Sequence, residues 1–397
     1  MDKKYTLVDN PADWSVCLNS LETVSRMAVD LEANSLYSYR ERICLIQIAT
    51  AEEIFIIDPL SESFDLAPLK NLLANPAVEK VFHAAEYDLM LLKSRYGWDV
   101  HNLFDTIVAA RVLGLKQLGL ASLLEQLLEV RIDKKYQRAD WGKRPLRPDY
   151  LAYAADDTRF LLALRDLLEQ RLRESGCWRE AQSLFHAATL VHPVQREFDP
   201  DRYRRLAGAF QLSPRGQAVL RELYIFRDQE ARKRDMPPFK VINDDILVRL
   251  ADLTARDAAI PEQETVFRKL QARFGGRLTM VLRQGLENPL PARSRRIRSV
   301  TAQLSGNGFT ARMDALLSWR KKKARERGVE SDVILSRRAA RAISEHNPDS
   351  LEALRNIAAV GSYTVEAYGP EILQILSKVP NHMPAPLTAG EGRNIHE

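Results

Sequence analysis

The stretch RMAVDLEANS, residues 26–35, decides how the fold is read. Its apolar, β-branched character is that of a buried strand. On a strand alternate side chains share a face, so Met27, Val29 and Leu31 point one way while Ala28, Asp30 and Glu32 point the other. If this strand is central, both faces are covered, and two neighbouring carboxylates are desolvated and repel each other. Such a pair is either protonated or neutralised by something positive. A divalent cation bound through oxygen ligands meets that need. The alternative is a strand end that reaches solvent, where acidic residues are harmless.

Working outward, RICLIQIAT (42–50) and EIFIID (53–58) are further apolar strands on short polar links. Short links favour antiparallel neighbours, so 26–32, 42–50 and 53–58 are expected to form a three-stranded meander. A helix near 65–74, a strand KVFHA at 80–84, a helix at 86–95 and a strand near 103–105 leading into another helix follow. Strands alternating with helices imply parallel pairing within the same sheet, hence a mixed α/β core. Leu118–Val130 reads as one amphipathic helix and 131–148 as a polar loop. Pro148 suits the first turn of a long helix running to about Glu174.

Past residue 195 strand patterning fades, and 213–377 reads as helices joined by Gly and Pro breaks. A weak repeat aligns LYIFRDQEARKRDMPPFKVINDDIL (223–247) with LLSWRKKKARERGVESDVILSRRAA (316–340), Arg227 and Ala231 matching Arg320 and Ala324. Two copies of a small helical module are expected, joined by the proline- and arginine-rich PLPARSRRIRSV (289–300). The tail from 381 to 397 has no periodicity and reads as disordered.

Charge separates the two halves of this 397-residue chain. Residues 1–200 carry 24 Lys and Arg against 30 Asp and Glu, and residues 201–397 carry 34 against 23. A basic rear half supplies a phosphate-attracting field, or simply an Arg-rich solvated surface. No apolar run approaches the roughly 18–20 residues that span a bilayer, and MDKKYTLVDN has no apolar core behind its charge, so no secretory signal is expected. Cys17, Cys44 and Cys177 are far apart and none lies in a CxxC. This argues against a disulfide framework or a zinc site and for a cytoplasmic protein.

More carboxylates bear on the first pair. VFHAAEYDLMLL (81–92) ends a strand and opens a helix with Asp88 in its early turns, and YLAYAADDTRFLLAL (150–164) places Tyr153 and Asp157 four apart on one helix face. Asp156 points elsewhere and reads as a solvated helix charge. Each feature alone has a plain reading: Asp88 as a helix N-terminal charge, Tyr153 as a packing aromatic. Together they spell D-x-E, D and Y-x₃-D in order.

In that order the residues resemble the DEDD superfamily of 3′→5′ exonucleases, in the subgroup with tyrosine in the third motif, and within it the ribonuclease D family. The resemblance rests on VDLEAN, HAxxYDL, FDT (104–106), DWGKRPL (140–146), YAxxD and the helical repeats. The repeats resemble HRDC modules, small helical nucleic-acid-binding domains also found in RecQ-type helicases. The second keeps the pattern through IAAVGSYTVEAYGPEIL (357–373); the first is more degenerate at ARFGGRLTMVLRQGL. The implied fold is an α/β ribonuclease H-like exonuclease core, a mixed sheet with helices, over 1–195, followed by all-α HRDC-like domains over 210–292 and 305–380. The implied metal ligands are Asp30, Glu32, Asp88 and Asp157, with Tyr153 as a fifth catalytic residue and two Mg²⁺ or Mn²⁺ ions as cofactors.

That resemblance implies an exoribonuclease releasing nucleoside 5′-monophosphates from 3′ ends, with tRNA precursors or other small structured RNAs as substrate. Tyr153, with an ordinary pKa near ~10, is expected to orient the attacking water rather than act as a base. His83 is expected near the substrate or hydrogen-bonded in the core, and Asp105 at the cap of the helix that follows it. Trp141 would stack a base and Lys143 and Arg144 would hold phosphate, unless Trp141 packs beneath its loop. The basic runs 227–234 and 320–327 would hold the body of the RNA. A monomer without an obligate protein partner is expected, away from membranes. A DNA exonuclease and a non-catalytic nucleic-acid-binding scaffold are the rival readings.

Overall fold

The computed structural model of the chain describes residues 4–61, 63–191, 198–288 and 308–379. The expected linker at 289–300 and tail at 381–397 lie outside them. The described chain divides into two compact units. One contains the sheet, the helices flanking it as far as Asp166, and the first helical module; the other contains Ile107–Leu118, Leu167–Ala188 and the second module. No described helix is long and apolar enough to cross a membrane.

In the first unit, six strands form one sheet: β1 (Tyr5–Val8), β2 (Arg26–Ala33), β3 (Ile43–Ala49), β4 (Ile54–Ile57), β5 (Glu79–Phe82) and β6 (Leu103–Asp105), in the spatial order β1-β4-β3-β2-β5-β6. The expected meander is there: β3 pairs antiparallel with both β2 and β4. β5 and β6 then add in parallel beyond β2, which makes the sheet mixed and β2 central. Met27, Val29 and Leu31 are buried on one face of β2, as its alternation requires. β1, which pairs in parallel with the edge of β4, has no counterpart in the sequence reading. Four residues beside a charged N-terminus carry too little alternation to announce a strand.

Helices α1 (Pro11–Leu21), α2 (Ala67–Ala74), α3 (Glu86–Tyr96), α4 (Thr106–Val112) and α5 (Leu120–Leu128) follow the strands. The long helix expected from Pro148 is two helices, α6 (Pro148–Arg159) and α7 (Leu161–Glu174), broken at Phe160. At the break the Thr158 hydroxyl donates back to the Ala155 carbonyl (3.3 Å), and the Phe160 N–H turns to Thr158. A hydroxyl competing for helix carbonyls favours such a bend. α6 packs across β2, β3 and β4 on the acid-bearing face, and α8 (Trp178–Thr189) follows α7.

The sequence repeat is structural. α9 (Pro214–Arg234) leads through a left-handed residue, Asp235, into the one-turn α10 (Pro238–Val241) and then α11 (Asp244–Arg256), α12 (Thr265–Phe274) and α13 (Gly276–Glu287). α14 (Phe309–Arg327) leads through left-handed Gly328 into the one-turn α15 (Ser331–Ile334), then α16 (Arg337–His346), α17 (Leu351–Arg355) and α18 (Ser362–Ser377). The aligned alanines, Ala231 and Ala324, are both buried and accept the N–H of the left-handed residue four positions on. The aligned arginines do the same job: Arg227 Nη1 donates to the Ile242 carbonyl at 3.0 Å and Arg320 Nη1 to the Leu335 carbonyl at 2.7 Å. Each guanidinium thus satisfies a carbonyl at the end of a one-turn helix, where no intrahelical donor remains.

This narrows the reading of 227–234 and 320–327 as basic faces that would hold RNA. Arg227 is buried, Arg232 and Arg234 pair with Asp228 and Glu230, and Arg327 pairs with buried Glu180. Lys233, Lys321, Lys322 and Arg325 are exposed, as are the ion-paired Arg232 and Arg234. Replacing Arg227 with Ala leaves a buried carbonyl unpaired, and equilibrium urea unfolding should show a loss of about 1–3 kcal/mol. Arg320→Ala should cost less, since its site is only half-buried.

Candidate active site

β2 brings Asp30 and Glu32 to the middle of the sheet, and a β-bulge between Glu32 and Ala33 ends the regular ladder there. Bulges re-aim side chains at the end of a pairing. α6 supplies the third carboxylate: Asp30, Glu32 and Asp157 each offer an oxygen within 4.8 Å of the others. All three residues are half-buried, so the group is partly desolvated yet open to solvent. Tyr153, one helical turn before Asp157, is buried, and its hydroxyl and the Asp157 carboxylate interact.

Asp88, buried in the first turn of α3, lies outside that close trio but within its field. Its helix begins at a tight turn in which Ala84 has a left-handed φ of 61°. Asp105 holds that turn, its two carboxylate oxygens accepting from the backbone N–H groups of Ala84 (3.0 Å) and Ala85 (2.9 Å). Asp105 was expected to cap the helix after it; these two bonds hold the start of α3, because parallel β5 and β6 bring their ends side by side. Chain-adjacent capping is visible in sequence, and capping across a sheet is not.

The electrostatics are those of acids confined together. Burial pushes the Asp30 carboxyl up to about 7. Burial and then the charge on Asp30 push Asp157 up to about 8. Glu32 is raised well above the usual range by burial, then by Asp30, Asp157 and Asp88, and Asp88 is raised by burial, then by Asp30 and Asp105. The Tyr153 phenol is also driven up, by burial first and then by Asp157, Glu32 and Asp30. Near neutral pH this site holds protons it would surrender to a cation.

The remaining candidates separate. His83 bonds Thr106 Oγ1 at 2.9 Å through Nδ1, and burial pushes it down to about 4, so it is a neutral imidazole inside the fold. Trp141 was expected either to stack on a base or to pack beneath its loop; it is buried at 1% exposure against Tyr150 and Tyr153, which is the second. Arg144 was expected to hold phosphate, but its guanidinium grips both oxygens of buried Asp58 at 2.6 Å and also donates to the carbonyls of Trp141 and Cys44. The DWGKRPL loop is therefore tied to β3 and to the end of β4 by its own arginine. Lys143 is the member that reaches solvent, its side chain 79% exposed. Asp156 is ion-paired to Arg159 at 2.7 Å.

Sequence reasoning missed the segment that follows Glu32. Asn34 closes the 34–42 loop by accepting the Arg42 N–H at 2.7 Å. The first helical module then grips the loop. Asp235 accepts from the Ser38 hydroxyl (2.7 Å) and the Arg40 N–H (3.0 Å), Tyr39 donates to Asp228 (2.8 Å), and Lys240 lies 3.7 Å from the Tyr37 ring centroid. Asp235 adopts left-handed φ of 44° where the second module has glycine. A non-glycine residue held in that conformation is a mark of a side chain with a task. That substitution is the one signal the sequence carried.

Comparison with known proteins agrees with this geometry. The family model described as 3′-5′ exonuclease matches residues 5–173, and that described as HRDC domain matches 216–259 and 309–376. The chain is 32% identical over 279 residues to ribonuclease D of Nitrobacter hamburgensis, covering 68% of this chain and 71% of that protein. The chain belongs to the ribonuclease D family. The family's members are 3′-5′ exoribonucleases, and the mixed-sheet core followed by helical HRDC domains is the family's architecture. Escherichia coli RNase D shares the fold, with a TM-score of 0.60 at 21% identity over 95% of this chain and 100% of that one. The chain is also 35% identical over 259 residues to an exosome complex component 10 homolog of Caenorhabditis elegans, a match covering 64% of this chain and only 30% of that protein.

The geometry of the DWGKRPL loop makes a specific forecast for Arg144→Ala. Removing the guanidinium strands a buried carboxylate, so stability should fall by roughly 3 kcal/mol, the low end for a broken buried pair because Arg144 is part-exposed. KM for an RNA oligonucleotide and its salt dependence should stay at wild-type values in the folded protein. A raised KM with a reduced salt slope would return Arg144 to the phosphate.

Proposed function

We propose that this chain is a metal-dependent 3′→5′ exoribonuclease that releases nucleoside 5′-monophosphates, trimming tRNA precursors or other small structured RNAs. The observation that carries the reading is the meeting of Asp30, Glu32 and Asp157 within 4.8 Å under a buried tyrosine. The residues fit a divalent ion. The donor set is all hard carboxylate oxygen, as Mg²⁺ and Mn²⁺ prefer, and the acids are too crowded and too buried to carry full charge without one. Asp30, Glu32 and Asp157, with Asp88, would hold two such ions. When bound, the ions would acidify a water and stabilise the departing 3′-oxygen.

The chain's own residues do the positioning. Asp30, whose carboxylate lies within 4.8 Å of those of Glu32 on its own strand and Asp157 on α6, would contribute to holding the ions. Tyr153 stays protonated, since its surroundings raise an already high pKa, so it is no general base. With its proton turned toward Asp157, its oxygen lone pairs would accept a hydrogen bond from the attacking water and aim it. Residues 1–195 are assigned the chemistry, and the HRDC-like stretches 210–292 and 305–380 the holding of RNA. Exposed Lys321, Lys322 and Arg325 suit the phosphate backbone of a folded RNA while its single-stranded 3′ tail enters the site, which would raise the tail's effective concentration. Lys143, on the loop before α6, suits the tail itself. The ribonuclease D relative supports RNA as the polymer.

Matched 3′-labelled RNA and DNA strands, each with Mg²⁺ and with EDTA, test the reading directly. RNA should shorten only with metal. Loss of DNA alone would make the chain a DNA exonuclease, and a mobility shift without loss would make it a binding scaffold. Asp30→Asn should lower kcat at least about a hundredfold in either Mg²⁺ or Mn²⁺; retained turnover removes Asp30 from the site. Tyr153→Phe keeps the ring and its packing and removes only the hydroxyl. It should lower kcat by about a hundredfold with KM unchanged.

A further inference from the structure

Gln47 sits in the middle of β3, between stretches that are otherwise apolar and buried. It is 0% exposed, and neither its Oε1 nor its Nε2 has a hydrogen-bond partner. A buried amide with both atoms unpaired is destabilising, and Leu or Met would fill the same space without that penalty. A polar group retained under such a cost needs a reason in its surroundings.

The register supplies one. Gln47 pairs directly with Asp30 across the β2–β3 ladder, whereas Ile46 and Ile48 pair with Leu31 and Val29 on the opposite face. Cross-strand partners project from the same face with Cβ atoms about 5 Å apart. α6 packs over β2, β3 and β4 on this face and carries Tyr153 and Asp157. The carboxamide is therefore enclosed between sheet and helix, beside the acid that Glu32 and Asp157 approach.

We propose that Gln47 is a positioning residue for the acidic site, its carboxamide holding the Asp30 carboxylate in place through an ordered water. The inference rests on the metal-dependent nuclease reading. A water there has the polar partners it requires, a carboxamide on one side and a carboxylate on the other. With one oxygen of Asp30 so tethered, the other is turned toward Glu32 and Asp157. Gln47 itself touches no substrate and acts only through Asp30.

The test uses the full chain with Gln47→Met, which keeps length and volume, and Gln47→Leu as a second shape. Three quantities are measured: the melting temperature in EDTA, Mn²⁺ affinity by calorimetry, and kcat and KM on an RNA oligonucleotide. The expected result is a melting temperature equal to or above wild type, Mn²⁺ binding weakened about tenfold or more, and kcat lowered with KM within about twofold. Unchanged Mn²⁺ affinity and kcat in a variant that folds would overturn the proposal and leave Gln47 a tolerated packing residue. A lower melting temperature in both variants would also overturn it, by making the amide a determinant of the fold. A wild-type chain without metal-dependent nuclease activity sinks the functional reading instead. The calorimetric arm needs no turnover and still decides Gln47.

Discussion

Repulsion among carboxylates that the fold forces together is the constraint on which the rest of this protein depends. A central strand covered by a helix gives its side chains little solvent, so Asp30 and Glu32 are partly desolvated at the site, and α6 then adds Asp157 within 4.8 Å. Nothing in the apolar core repays that crowding. The buried scaffold around it, from the six-stranded sheet to the α6 that covers it, holds the acids in a geometry they would abandon if free. Stored repulsion of this kind turns a set of acids into a receptor for cations.

Holding acids together requires rigid supports, and these come from distant parts of the chain. Asp105 secures the turn that launches α3 and Asp88. Arg144 ties the loop before α6 to Asp58 at the end of β4. Asp228 and Asp235 of the first helical module take hold of the loop that leaves Glu32. The first module is therefore part of the unit that contains the site, with Tyr39 packed against its core. Its degenerate HRDC pattern is understandable if part of its surface is committed to the loop.

Two matched positions within the repeat illustrate what is kept and what diverges on one scaffold. Arg227 and Arg320 do the same internal work in both copies. At the helix end that follows, the second copy has Gly328, the residue best suited to a left-handed cap, whereas the first has Asp235 and uses its carboxylate as a clamp. The basic character of both helices, so prominent in composition, is partly taken up by ion pairs and carbonyl contacts. Net charge reports the field around a protein and says little about which cations face outward.

The sequence by itself determined the meander, the alternation of strands and helices from β2 to β6, the acid spacing on β2 and the Tyr153–Asp157 pairing on α6. Each of these is local: side-chain alternation on a strand and recurrence on a helix are written within a few residues. Only the tertiary structure decided that Trp141 faces inward, that Arg144 grips Asp58, that Asp105 holds the start of α3, that Asp88 stands apart from the close trio, and that the 34–42 loop is gripped from nearly two hundred residues away. Hydrogen bonds and burial between distant segments depend on chain packing, and no local pattern encodes them.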